Sequence, residues 1–133
     1  MDDLRLLLPS VSEAMDPILR KMDLDLGKGS QITASNLESS GQQLIWVAGN
    51  LWEQLSEARH SVLPATLREA GIGLLDRSSK MRRRATSEED VHFYSEIHGV
   101  LAYILSAIRT GDYAEELDRI RVANESLREQ SIF

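Results

Sequence analysis

The 133-residue chain contains no cysteine. Disulfides, thiolate zinc sites, iron–sulfur clusters and cysteine nucleophiles are therefore excluded, and a reducing cytoplasm is the expected location. Basic charge is also scarce. Fifteen Lys and Arg against 21 Asp and Glu leave a formal net charge of -6, which disfavours sequence-independent binding to nucleic acid. No window reaches the ~18–20 clean apolar residues of a membrane-spanning helix. The nearest is HFYSEIHGVLAYILSAI at 92–108, and Ser95, Glu96, His98 and Ser106 interrupt it. The opening MDDLRLLLPS is acidic where a secretory signal would be basic, and its apolar part is too short for one. Strand signals are sparse. Apolar and polar residues seldom alternate, and no Asn-Gly or Asp-Gly hairpin turn occurs.

What remains is helical. A composition of 42% hydrophobic and 27% charged residues is that of a globular chain, and its length suits one domain over 1–133. Three capping patterns, a Ser, Thr or Asp followed three residues later by an acid, mark helix starts: Ser35 with Glu38, Thr86 with Glu89, and Asp112 with Glu115. They predict an all-α bundle of about five helices. An N-terminal helical region over 1–26, mobile or packed on the bundle, is expected to be broken or offset at Pro9 and at Asp16-Pro17. A Gly/Ser-rich loop follows at 27–35. A second helix over about 36–61 carries Leu44, Ala48, Leu51, Leu55, Ala58 and Val62 on one stripe. Pro64 suits the first turn of a third helix, whose stripe is Leu67, Gly71, Leu74, Ser78 and Met81. A fourth spans 87–109 and a fifth about 113–129, with Leu117, Ile120, Asn124 and Leu127 on one side.

The apolar run at 92–108 belongs to the fourth helix. Tyr94, Ile97, Leu101, Ile104 and Ile108 form a stripe that Phe93, Val100, Tyr103 and Leu105 widen over most of the circumference. Such a helix is expected at the centre of a bundle, or pressed against a second copy in a dimer. Gly99 offers a place for close backbone approach. His98 reads as a partly buried histidine bonded to a neighbouring helix.

Candidate chemistry is thin. Two Glu-x-x-His motifs, Glu57 with His60 and Glu89 with His92, are the pattern from which carboxylate-bridged metal sites are built, with Glu13 and Glu69 as further ligands. The connectivity places the two motifs at opposite ends of a bundle, so no metal and no cofactor is expected. GKGS at 27–30 lacks the first glycine of a phosphate-binding loop, and Asp23 and Asp25 would begin a calcium loop that ends on Ala34 rather than glutamate. No acid–base or nucleophilic set emerges, which points away from an enzyme. Two features point to another protein as the partner. Trp46 lies opposite Leu44, Leu51 and Leu55 on its helix, either covered by the N-terminal region, as burial statistics favour, or offered as an interface anchor. Trp52 is expected in the core. KMRRR at 80–84 supplies Lys80, Arg82, Arg83 and Arg84, which complement a helix C-terminus or dock an acidic partner. The tail residues Ile132 and Phe133 are a further apolar contact.

The pairs Leu51-Trp52, Leu63-Pro64, Leu67-Arg68 and Glu96-Ile97 resemble the small helical FlaF family, which regulates flagellin synthesis and export. The N-terminal motif of that family is not evident in this chain. Tyr94-Ser95-Glu96-Ile97-His98 is similar to part of the TraM antiactivators, small helical proteins that bind quorum-sensing regulators. Each resemblance covers less than half of the chain. Both imply a helical protein that works by binding another protein. The reading that follows is a cytoplasmic interaction module, a regulator, adaptor or chaperone, with a metal-binding bundle or a homo-oligomeric building block as alternatives.

Overall fold

Apolar residues spaced three and four apart become the buried stripes of four α-helices in the computed structural model, which describes residues 3–54 and 62–110, with side chains from 9 to 54 and from 63 to 110. They are α1 (Asp3–Leu26), α2 (Ala34–Gln54), α3 (Val62–Met81) and α4 (Glu88–Thr110), with a 3-10 turn at Gly29–Gln31 between the first two. The fold is an all-α helical bundle. The fifth expected helix, over 113–129, lies outside the described residues, as do the Asp112–Glu115 cap and the end of the second stripe at Leu55 and Ala58. Val62, counted on that stripe, instead opens α3.

The N-terminal region is one continuous helix through both Pro9 and Pro17, where a break was expected. Each proline removes one backbone N–H, so the carbonyls of Arg5 and Glu13 lose their intrahelical donors. Both prolines are exposed, so water can take those donors' place. Val11, Met15, Ile18 and Met22 of the same helix are all buried and hold it against the bundle. Fully burying one such side chain stabilises by roughly 1.5–3 kcal/mol, enough to offset a lost exposed hydrogen bond. At its end, the N–H of Gly27 bonds the carbonyl of Asp23 at 3.1 Å, and Gly29 takes a φ of 59°, which turns the chain into α2.

The caps fall near the expected places but on other residues. α2 is capped by Thr33: its Oγ1 accepts from the N–H of Asn36 at 3.3 Å, while Asn36 Oδ1 accepts from the N–H of Thr33 at 2.9 Å. Ser87, not Thr86, caps α4. Its Oγ accepts from the Asp90 N–H at 3.3 Å and its own N–H donates to Asp90 Oδ2 at 2.8 Å. The one-residue shift frees Thr86 to donate to the Ile32 carbonyl at 2.8 Å, tying this loop to the entry of α2.

Helices α2 and α3 form the closest pair, and α1 packs on both α2 and α4. The α2–α3 contact is a backbone one. A Cβ on Gly71 would meet the Gly41 carbonyl oxygen and Ile45 Cγ1 at 2.7 Å, and a Cβ on Gly41 would meet the Gly71 oxygen at 2.8 Å. Close approach therefore occurs here and not at Gly99, which faces open space. The expected α3 stripe is buried throughout, from Leu67 to Met81. The α4 stripe is equally buried, but the helix is not enclosed on most sides. Ser95, Glu96, Gly99, Tyr103 and Ser106 form an exposed face. Tyr103, 41% exposed, had helped to make the helix look apolar all round.

Candidate functional site

Polar residues that face the bundle interior are fully engaged. Lys21 donates from Nζ to Asp25 Oδ2 at 2.7 Å, to Ser40 Oγ at 3.0 Å and to the Asn36 carbonyl at 3.1 Å, filling all three of its donors. The Tyr94 hydroxyl donates to Asp25 Oδ2 at 2.8 Å, which leaves Ser40 Oγ, also at 2.8 Å, as the donor to Tyr94. A closed ring of hydrogen bonds thus joins α1, α2 and α4. Burial pushes the Tyr94 phenol well above its ordinary range, with the Asp25 carboxylate acting in the same direction, so it serves as a permanent O–H donor. With Tyr94, Ser40 and Asp25 all buried, no substrate reaches this cluster. It positions helices. The i, i+4 spacing of Lys21 and Asp25 was a visible signal for it, and a tyrosine on a buried stripe always raises the question of where its hydroxyl goes.

The basic run divides into two parts. Arg84 donates from Nη1 to Asp90 Oδ2 at 2.6 Å and from Nη2 to Asp90 Oδ1 at 2.8 Å, a two-pronged pair on a fully buried carboxylate. Arg77 reaches the same carboxylate at 3.2 Å and lies over the Phe93 ring at 4.7 Å. The Arg84 hydrogen bond holds the Asp90 carboxyl well below the usual carboxylate range, against the opposing effect of burial. Asp90 in turn raises Arg84. Lys80, Arg82 and Arg83 stay exposed, with Lys80 paired to Asp76 at 3.2 Å and Arg82 to Glu38. Arg84 is therefore committed to the fold, and the outward-facing cations of this corner are Lys80, Arg82 and Arg83.

The proposed metal ligands are not brought together among the described residues. Glu89 is exposed, and His92 pairs with Glu96 one turn along at 2.7 Å. Glu57 and His60 lie outside the described residues, and no group of three or more acidic or histidine side chains suited to a metal ion occurs among those described. His98 is half-buried beside an open groove between α1 and α4 and makes no hydrogen bond to another described residue. None of the described helices is long and apolar enough to cross a membrane.

The feature with a shape of its own surrounds Trp46. Covering by the N-terminal region was expected, yet the indole is 69% exposed. α1 lies alongside α2 without covering the ring, and two clefts include Trp46 in their lining. One cleft, of about 170 Å³, is lined by Ser10, Val11, Ala14, Val47, Asn50, Leu51 and Gln54 together with the Trp46 ring. The other, of about 350 Å³, is lined by Ala14, Pro17, Ile18, Gln42, Gln43, Trp46 and Val47. Among the described residues, none that lines either cleft is charged. The helix register explains the placement: α2 buries Leu44, Val47, Ala48 and Leu51, and Trp46 faces away from that arc. Trp52, expected in the core, is also on the surface at 55% exposed, because it stands one position beyond the buried Leu51. The α1 residues of the clefts carried no signal in the sequence beyond small side chains, Ser10 and Ala14, on a helix that was expected to break. The tail residues Ile132 and Phe133 lie outside the described residues.

No protein-family model, curated protein or solved structure matches the chain. The two resemblances to small helical binding proteins gain no support from these comparisons.

Proposed function

We propose that this chain is a small interaction module that works in the cytoplasm by docking a helical surface onto another protein, as a regulator, adaptor or chaperone, and not by catalysis. The observation that carries the reading is the exposed Trp46 side chain, which lines two clefts whose described residues are all uncharged. Tryptophan is the residue most enriched among interface anchors, and an anchor acts by entering a pocket while its neighbours exclude water. Leaving a large ring in water contributes nothing to the fold, so its position is best understood through what covers it. The exposed cations Lys80, Arg82 and Arg83 at the C-terminal end of α3 add a second point of contact for an acidic surface.

The test is retention of a partner on immobilised protein from native host lysate, with wild type compared against Trp46→Ala and against Arg82→Glu with Arg83→Glu. Retention of one protein by the wild type and its loss with Trp46→Ala supports the reading and locates the surface. Loss only with the arginine reversals would move the surface to the basic corner. Equal retention by all three would remove both surfaces from the proposal.

A further inference from the structure

We draw no further inference here: the strongest candidate, the open groove between α1 and α4 that Arg20, His98 and Arg109 line, carries no ligand site, because Asp16 already pairs with both guanidiniums and nothing in the structure shows what covers it.

Discussion

Tyr94 and Trp46 are both large rings with a polar atom, and the bundle treats them in opposite ways. Tyr94 is fully buried, and its hydroxyl is held between Asp25 and Ser40 in a ring of hydrogen bonds that Lys21 closes. Trp46 is on the surface and lines two clefts whose described residues carry no charge. The interior accepts a polar atom only where several helices supply its partners, since an unpaired one costs about 1–3 kcal/mol. The surface accepts an apolar ring at little cost to the folded state, because the ring is equally wet in the unfolded chain. Residues that hold this protein together should therefore be sensitive in stability, and the Trp46 face should be sensitive only in association.

The largest effect should come from Asp90→Ala, which strips the counter-charge from Arg84 and Arg77 and removes half of the α4 capping box. A loss of about 3 kcal/mol is expected, read as a lower urea midpoint with an unchanged slope. The same carboxylate sets the acid response. Its folded pKa lies below the unfolded value of about 3.9, so the stability it adds is complete above that value and is lost as pH falls below it. The urea midpoint should be level from pH 7 to 5 and decline below about 4, and Asp90→Asn should show a shallower decline. Next in size, Tyr94→Phe keeps the ring but leaves Asp25 and Ser40 each short of a partner, for a loss of about 1–2 kcal/mol by the same measurement. Smallest is Trp46→Ala, expected to shift stability by less than about 0.5 kcal/mol. A large loss of stability for Trp46→Ala, or none for Tyr94→Phe, would break the contrast between the two regions.

The sequence carried the helix stripes well and the exceptions poorly. Leu67 to Met81 and Tyr94 to Ile108 read correctly because period 3.6 is a property of the helix alone. The caps missed by one or two residues because Thr86, Ser87, Thr33 and Ser35 are all competent cappers, and at α4 the choice goes with their partners: Asp90, three residues on, for Ser87, and the distant Ile32 carbonyl for Thr86. Trp52 was misjudged because its flank of α2 ends at Leu51, a boundary set by where α1 and α3 lie. Tyr94 looked merely apolar since Ser40 and Asp25 are remote in the chain. The clefts beside Trp46 were illegible for a similar reason: part of each wall comes from α1, a helix that two prolines argued against.

The glycine contact between α2 and α3 also bears on recognising kindred chains. Any side chain at Gly41 or Gly71 would drive a carbon into the facing carbonyl oxygen, so a related protein that keeps this helix pair must keep both glycines or separate the helices. Leucine, alanine and glutamate drift freely among helical proteins and blur ancestry. A spaced pair of glycines, followed downstream by the Arg84, Ser87 and Asp90 triplet that locks the next helix start, does not drift in the same way. That pattern is a fingerprint by which distant relatives could be gathered even after the surface residues, Trp46 included, have been exchanged for others.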